Sequence, residues 1–209
     1  MIELIIAPHP DDEAIGCGGV IAQNADAGDR IVVLFLTSGE CGVPGATHDA
    51  AAHLREQEAT AAAEILGISD LKFLRFPDGQ VEAFGAPAAD ALADVLCAES
   101  PDIIRVPHPH DGHADHHAAW PVLQHAIRIA DIGRPQFLAY EIWTPMAAPD
   151  YAEDITAVMD RKLEAIGCYQ SQLAQLPYDH GISGLNSYRG AFLAGSRYAE
   201  AIAHLWPSD

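Results

Sequence analysis

The chain has 209 residues, of which 49% are hydrophobic and 20% are charged, a composition typical of a globular protein with a sizeable core. Its 30 acidic residues against 11 Lys and Arg give a formal net charge of −19. Proteins that bind nucleic acid or anionic membranes need clustered cations, so this charge argues against both functions. We therefore expect neither nucleic acid nor a membrane as a partner.

The cysteines and the N-terminus indicate a cytoplasmic protein. Cys17, Cys41, Cys97 and Cys168 are far apart and form no CxxC pair, which is typical of a reducing compartment and not of a disulfide framework. No Lys or Arg precedes the short apolar run at the N-terminus, so this run does not have the form of a signal peptide. No stretch approaches the ~20 apolar residues that a membrane helix needs.

Predicted strands and helices alternate along the chain. Arg30–Leu36 is rich in β-branched residues and has no polar alternation, which is typical of a strand covered on both faces. Strong helix formers follow and stop at Gly67, a residue that favours a helix C-terminus. In chain order we predict strand Ile2–Ala7, helix Glu13–Ala27, strand Arg30–Leu36, helix Asp49–Leu66, strand Leu71–Phe76, helix Ala86–Ala98, strand Asp102–Val106, helix Ala114–Ala130, strand Gln136–Trp143, helix Asp160–Tyr169 and a closing segment Tyr188–Leu205.

Strands separated by helices imply βαβ units with right-handed crossovers. With no repeat and no low-complexity linker, the sequence predicts a single α/β domain over residues 1–209, a Rossmann-like, doubly wound and mostly parallel sheet with helices on both faces. Ligands of such sheets bind outside the carboxyl ends of the strands. Pro8–Glu13 and Pro107–His117 lie there, and we expect Cys41–His48 and Thr144–Asp154 to be the loops that choose the substrate.

Both strand-end loops carry residues that bind metal ions. His9 and Asp12 are three residues apart, as are His113 and His116 in a segment that holds five of the eleven histidines. A hydrolytic zinc takes three His or carboxylate ligands and leaves one position open for water. Zinc lowers the pKa of that water to ~7, and a nearby carboxylate can act as the base. The spacing leaves open which histidine of the second loop is a ligand: His110, His113, His116 or His117.

Two simpler interpretations compete with these motifs. An Asp pair before a helix is often only a cap for backbone N–H groups. The glycines of Gly16–Gly19 stand where a dinucleotide-binding loop would have them, but Ile21 occupies the position of the third glycine. Thr37 and Ser38 occupy the end of the next strand, where that motif needs an acid. We therefore expect these glycines to let the first helix pack closely on the sheet.

The two loops resemble the metal motifs of the PIG-L/LmbE-like family of zinc-dependent N-acetylglucosaminyl deacetylases. The likeness is carried by APHPDDEAIGCGG (Ala7–Gly19) and GHADHH (Gly112–His117). Pro8 stands where Ala is commoner and Ala114 where Pro is usual, and neither change removes a functional side chain. Weaker similarities extend over nearly the whole chain and lie in Leu36–Glu40, Arg55 with Glu58, Phe76–Gly79 and Lys162–Gln172.

This resemblance implies a metal centre and a base. His9, Asp12 and His116 would bind one Zn²⁺ per chain, although iron or cobalt also suits two histidines and a carboxylate. Asp11, beside a ligand but not itself one, would be the general base.

The resemblance implies further roles around that centre. His113 would protonate the leaving amine or support the oxyanion, and Asp115 would orient His113. Arg55 and Asp78 match positions that contact the sugar. Both also have plainer interpretations, because Arg55 fits an ion pair with a helix glutamate and Asp78 fits a turn cap.

The implied function is metal-dependent removal of an N-acetyl group from an amino sugar or a sugar conjugate, with a small molecule as the partner. The sequence leaves the oligomeric state open, and a homo-oligomer is one possibility because relatives form oligomers. Two alternatives stay open. The first is an amidase that acts on a non-sugar or thiol-conjugate amide. The second is a non-catalytic Rossmann-like binder of metal or nucleotide, which the presence of both Asp11 and His113 disfavours because binding alone needs neither.

Overall fold

The predicted alternation of strands and helices is present in the computed structural model, which describes residues 1–207. The strands are β1 (Ile2–Ala7), β2 (Arg30–Phe35), β3 (Asp70–Phe73), β4 (Ile103–Pro107), β5 (Gln136–Tyr140), β6 (Tyr151–Asp154) and β7 (Ala199–His204). The helices are α1 (Asp12–Asp26), α2 (His48–Leu66), α3 (Gly85–Glu99), α4 (Ala114–Ile129), α5 (Met159–Ile166), α6 (Gln170–Leu173) and α7 (Tyr178–Arg189), followed by a π-helical segment, Gly190–Ala194. Within residues 1–207, no helix has both the length and the apolar character needed to cross a bilayer.

The seven strands form one sheet in the order β3-β2-β1-β4-β5-β7-β6. The first five strands in this order run parallel, and β7 is antiparallel to both of its neighbours. The chain leaves β1 on the side of β2 and later returns on the side of β4, so a crevice lies outside the carboxyl ends of β1 and β4. Helices α3 and α4 pack on one face, and α1, α2 and α5 pack on the other. This confirms the predicted Rossmann-like fold class.

Strand β1 shows how the core is divided. Leu4 and Ile6 pack with α3 and α4, whereas Ile5 and Ala7 pack with α1 and α2, because successive side chains of a strand point to opposite faces. All four side chains are fully buried. The unbroken apolar run in the sequence therefore marks a strand with helices on both sides.

Close packing of α1 accounts for the glycines near its start. A Cβ atom at Gly16 would overlap the ring of Tyr140 in β5, and one at Gly19 would lie 2.7 Å from side-chain atoms of Ile155. No side chain fits at either position, which confirms that these glycines allow the helix to approach the sheet.

Two predicted strands end earlier than expected. Strand β3 stops at Phe73 and not at Phe76, because Arg75 has a left-handed backbone with φ of 57° that an extended strand cannot include. Strand β5 stops at Tyr140 and not at Trp143. Its next residue, Glu141, is held by the guanidinium of Arg189 at 2.8 and 2.9 Å.

The sheet also has an edge strand that the sequence did not predict. The expected loop Thr144–Asp154 contains β6, whose four residues pair only with β7, from Tyr151 opposite Ile202 to Asp154 opposite Ala199. A strand this short at a sheet edge has no sequence pattern that separates it from a loop. The closing segment Tyr188–Leu205 contains the end of α7, the π-helical segment and β7.

A buried ion pair stabilises a kink in α1. Cys17 has non-helical backbone angles, and the carboxylate of Glu200 accepts hydrogen bonds from the N–H groups of Gly19 and Val20, both at 2.8 Å. The Nζ atom of Lys162 lies 2.6 Å from Glu200, and both side chains are at most 1% exposed. Removing one member of such a pair leaves an uncompensated charge in the core.

Replacing Lys162 with Met tests this pair. We expect Lys162→Met to lower the free energy of unfolding by about 3–5 kcal/mol, because Glu200 stays buried without its cation. Arg161→Met is the matched control, since the neighbouring Arg161 pairs with the exposed Asp26 at 2.8 Å and such pairs contribute about 1 kcal/mol or less. Urea unfolding at pH 7 measures both variants, and equal losses would contradict the prediction.

Candidate metal centre

Three donor atoms from the two strand-end loops converge in the crevice. His9 follows β1, Asp12 begins α1, and His116 lies in the first turn of α4. The Nδ1 atom of His9 lies 3.3 Å from Oδ2 of Asp12 and 3.3 Å from Nε2 of His116. The same oxygen of Asp12 lies 3.1 Å from Nε2 of His116. The three atoms form a nearly equilateral triangle.

The size of this triangle fits a tetrahedral metal ion. Zinc bonds of ~2.0–2.2 Å at tetrahedral angles place ligand atoms roughly 3.3–3.6 Å apart. The triangle of His9, Asp12 and His116 is close to this spacing, and all three residues are buried. Two other sets have donor atoms within 4.8 Å of one another: His9 with His113 and His116, and His9 with Asp78 and Asp115. The crevice therefore could hold one divalent ion.

The electrostatics of the triangle also favour a cation. Burial alone would lower the pKa of His116, but Asp12 and Asp111 raise it to about 9. In the same way, contacts with Asp115, Asp12 and Asp78 overcome burial and raise the pKa of His9 well above its usual value. Burial alone would raise the pKa of Asp12, but both histidines hold it well below its usual range. The carboxylates around these imidazoles thus stabilise positive charge at the triangle.

The other ring nitrogen of each histidine in the triangle faces a carboxylate. Nε2 of His9 lies 3.0 Å from Asp115 and 3.1 Å from Asp78, so its Nδ1 points into the triangle. Nδ1 of His116 lies 3.2 Å from Asp111, although the N–H direction is not aligned on that oxygen and the atom has no hydrogen-bond partner. Carboxylates in this position fix the ring and its tautomer in metal sites.

The sequence did not single out Asp111, yet this residue ties two loops together. Its fully buried side chain accepts hydrogen bonds from the backbone N–H of His113 at 3.0 Å. Its other oxygen accepts from the N–H groups of Trp143 and Thr144, at 3.0 and 3.1 Å. The sequence signal that could have identified Asp111 was its position five residues before His116. The N–H groups of Trp143 and Thr144 that Asp111 binds could not be predicted from the sequence.

Asp115 lies where it was expected but makes different contacts. Its carboxylate accepts hydrogen bonds from the N–H groups of Gly79 and Val81 at 2.8 and 3.0 Å, in addition to facing His9. Its backbone N–H, and not its carboxylate, meets Nδ1 of His113 at 3.3 Å. In this structure Asp115 therefore orients His9, and the ring of His113 is fixed by the backbone.

Arg55 and Asp11 form a pair at the edge of the triangle. The guanidinium of Arg55 lies 3.1 Å from the Asp11 carboxylate and donates to the carbonyl oxygens of Gly39 and Pro10 at 3.1 and 2.6 Å. Burial raises the pKa of Asp11 to about 6, and Arg55 opposes that rise. Arg55 was expected to contact substrate, but its donors are largely engaged with the protein itself.

A cavity of about 370 Å³ opens over these residues. Asp78, expected to contact substrate, lines it, and the Asp78 carboxylate also accepts from the N–H of Cys41 at 3.0 Å. His113 lines the cavity as well, whereas His110 and His117 are exposed and do not. Six further lining residues were not predicted individually as site residues: Cys41, Gly42, Gly79, Trp143, Gln172 and Tyr178. Two of them, Cys41 and Gly42, lie in the loop Cys41–His48 that was expected to choose the substrate.

The fold and the crevice together define an α/β protein with a buried two-histidine, carboxylate-rich centre at the switch point of a parallel sheet. The chain belongs to the PIG-L family, since the family described as GlcNAc-PI de-N-acetylase matches residues 4–127.

Relatives of known name extend this family assignment over most of the chain. Diacetylchitobiose deacetylase of Thermococcus kodakarensis is 31% identical, over 95% of this chain and 81% of that protein. The probable N-acetyl-alpha-D-glucosaminyl L-malate deacetylase 2 of Bacillus cereus is 32% identical, over 81% of this chain and 82% of that protein. A conserved protein from Thermus thermophilus, whose crystal structure is known, has 30% sequence identity to this chain. The two structures match with a TM-score of 0.84, over 99% of this chain and 95% of that one.

One relative bears the name of a different reaction. The 4-oxalmesaconate hydratase of Pseudomonas putida is 29% identical, over 98% of this chain and 89% of that protein. Sequence similarity at this level therefore does not by itself distinguish hydrolysis from hydration.

Two neighbouring histidines of α4 allow a direct test of the donor triangle. We predict that His116→Ala loses bound divalent metal, because it removes one of the three converging donor atoms. His117→Ala should keep its metal, because His117 is exposed. Elemental analysis of the purified variants measures metal per chain. Full occupancy in His116→Ala together with loss in His117→Ala would show that the wrong histidine was assigned.

Proposed function

We propose that the protein is a zinc-dependent hydrolase that removes the N-acetyl group from an amino sugar or a sugar conjugate. The observation that carries this proposal is the position of Asp11 and His113, which line the same cavity as His9 and Asp12 of the donor triangle without belonging to that triangle. A carboxylate and an imidazole beside a metal are the groups that amide hydrolysis needs for proton transfer and oxyanion support.

His9, Asp12 and His116 are the proposed ligands of one zinc ion. Two nitrogens and one carboxylate oxygen with room for a fourth group form a donor set typical of catalytic zinc. When bound, Zn²⁺ supplies a Lewis acid that acidifies water and polarises the amide carbonyl.

Asp11 is the proposed general base. The Asp11 carboxylate lines the cavity and lies 3.1 Å from the Arg55 guanidinium, which favours its ionised form, so it can accept a proton from water as the water oxygen attacks the carbonyl carbon. Asp11 then returns this proton to the amide nitrogen as the carbon–nitrogen bond breaks, which releases acetate and the free amine. The same carboxylate can thus serve both proton transfers.

His113 is the proposed support for the oxyanion. Burial lowers the pKa of His113 below its usual value, which favours a neutral ring. Nδ1 accepts the N–H of Asp115, which leaves the ring proton on Nε2 as a hydrogen-bond donor. A neutral imidazole that donates from Nε2 can stabilise charge on the carbonyl oxygen as it develops.

The cavity walls support a sugar as the substrate. Asp78 and Gln172 offer oxygen and nitrogen atoms to hydroxyl groups, while Trp143 and Tyr178 pack edge to face at 5.6 Å and supply an apolar surface. A pyranose ring has hydroxyl edges and an apolar face, and thus needs both kinds of wall. The names of the Thermococcus and Bacillus deacetylases given above describe N-acetylated sugars as their substrates.

Hydration is the second candidate, because one relative is named as a hydratase. The substrate in that name is rich in carboxylates and would need cationic side chains. Among the cavity-lining residues of the described chain, Arg55 is the one arginine or lysine, and it is already paired with Asp11. This wall favours an uncharged, hydroxylated substrate over a polyanion.

We also place the enzyme in the cytoplasm. All four cysteines are unpaired, and two of them, Cys41 and Cys97, are exposed, which suits a reducing compartment.

Acetate release from the zinc-loaded protein tests the proposed function. The panel contains N-acetylglucosamine, its β-1,4-linked dimer, N-acetyl amino acids and N-acetylated thiol conjugates. Acetate from the sugars alone supports the proposal. Acetate from the other amides alone would establish the non-sugar amidase, and water addition to unsaturated carboxylates without acetate release would establish a hydratase.

The neighbouring pair Asp11 and Asp12 separates the base from the ligand. We predict that Asp11→Asn keeps zinc but loses about 10²- to 10⁴-fold in kcat, because an amide keeps the shape and cannot accept the proton. Asp12→Asn should instead lose zinc, because a neutral amide is a poorer ligand than a carboxylate. Zinc content and kcat are measured for both variants. Normal turnover in Asp11→Asn, or equal zinc loss in the two variants, would refute this assignment.

Trp143 tests the sugar-binding wall. Its side chain is 47% exposed at the cavity, so Trp143→Ala should raise KM about 3- to 10-fold and leave kcat unchanged. Trp206→Ala is the control, because Trp206 is 81% exposed and does not line this cavity. Steady-state kinetics on the best sugar substrate measure both variants. An unchanged KM in Trp143→Ala would contradict the proposed contact between Trp143 and the sugar.

A further inference from the structure

The backbone of Asp11 is held in an unfavourable conformation. Its φ of 141° lies in a region that residues with a side chain rarely adopt. Asp11 immediately precedes α1, but its side chain makes no capping hydrogen bond to that helix. Because helix capping does not explain this conformation, other contacts must stabilise it.

Two buried side chains support Asp11 in series, because Glu13 contacts Asp11 and Tyr169 contacts Glu13. The backbone N–H of Asp11 donates to Oε2 of Glu13 at 3.2 Å, and the hydroxyl of Tyr169 donates to Oε1 of the same carboxylate. Glu13 and Tyr169 are each 1% exposed, and neither lines the cavity. Tyr169 lies between α5 and α6, so this contact joins the C-terminal part of the chain to the loop after β1.

Arg55 restrains the same peptide from the opposite side. It donates to the carbonyl oxygen of Pro10, the residue before Asp11, and pairs with the Asp11 carboxylate. The carbonyl of Pro10 and the N–H of Asp11 belong to one peptide group. Both polar atoms of that group are therefore bonded to buried side chains, which fixes its orientation.

We propose that Glu13 and Tyr169 are positioning residues that hold the Asp11 peptide in its strained conformation and thereby aim the Asp11 carboxylate into the cavity. This inference rests on the proposed function of Asp11 as the base. Neither residue lines the cavity, and the hydrogen bonds of this pair lead to Asp11 and not to the donor atoms of His9, Asp12 or His116, so both act through Asp11. Displacement of a catalytic group by ~1 Å can cost about 100-fold in rate, so a modest rotation of this peptide is sufficient for a large effect.

Tyr169→Phe is the test, and Tyr140→Phe is its matched control. Both tyrosines are 1% exposed, and the Tyr140 hydroxyl donates a single hydrogen bond, at 2.8 Å, to the carbonyl oxygen of Ile6 in β1. Each variant loses one buried hydroxyl and its hydrogen bond. We expect Tyr169→Phe alone to lose about 10- to 100-fold in kcat, with KM and zinc content within about twofold of the wild-type values. Equal kcat in the two variants would overturn the proposal.

A second comparison shows whether Tyr169 acts through the base. In an Asp11→Asn background the additional change Tyr169→Phe should cost less than about threefold in kcat, because residues that act as a unit are not additive. If the losses in kcat from the two changes are fully additive, Tyr169 stabilises the fold and does not act through Asp11.

A readout without activity separates this proposal from the proposed function. Crystal structures of the zinc-loaded wild type and Tyr169→Phe report φ of Asp11 directly. Return of this angle to negative values in the variant, with zinc retained, supports the positioning role even if no sugar releases acetate. An unchanged angle in Tyr169→Phe would overturn the proposal, whereas a wild type that never releases acetate would refute only the proposed function.

Discussion

The concentration of carboxylates in one buried crevice is the constraint on which the rest of the site depends. Five aspartates lie within 4 Å of a nitrogen of His9, His116 or Arg55, namely Asp11, Asp12, Asp78, Asp111 and Asp115. Buried ionised groups are costly unless they are paired. The protein meets this cost with one arginine and with imidazoles whose pKa values are raised. A divalent cation supplies the same charge, and it competes with protons for the lone pairs of His9 and His116.

The fold concentrates these charges at a point where the backbone also helps to stabilise them. Helices α1 and α4 both begin at the crevice, so the positive ends of two helix dipoles face the carboxylates. The glycines of α1 allow that helix to approach β5 closely, which brings its first turn to the carboxyl ends of β1 and β4. The pair of Lys162 in α5 and Glu200 in β7 stabilises the kinked part of the same helix. The geometry of the centre thus depends on contacts well outside it.

Local patterns in the sequence were sufficient to predict the sheet and the two metal motifs. An apolar strand followed by His9 and Asp12 is a short-range signal, and the strand-end rule brings the second motif to the same crevice. Long-range contacts left no such signal. Tyr169 meets Glu13 across 156 residues of chain, and Asp111 meets Thr144 across 33 residues. The carboxylate of Asp115 turned out to face His9 and not the ring of His113, because its orientation is set by Gly79 and Val81 from another part of the chain. Strand β6 was missed for a similar reason, since its only partner is a strand near the C-terminus.

Two carboxylates connect the rim of the cavity to the donor triangle. The triangle lies on α1, α4 and the turns before them, whereas Trp143 and Cys41 lie on loops at the rim. Asp78 faces His9 and accepts a hydrogen bond from the N–H of Cys41. Asp111 faces His116 with one oxygen and accepts from the N–H of Trp143 with the other. The loop after β5 also contacts the loop before α4 through Thr144, whose Oγ1 atom accepts from the N–H of Gly112 at 2.9 Å and whose carbonyl oxygen lies 2.6 Å from Nε2 of His108. The rim loops and the two histidines of the triangle are consequently coupled through several contacts, and the rim can vary only in ways that keep its N–H groups directed at Asp78 and Asp111.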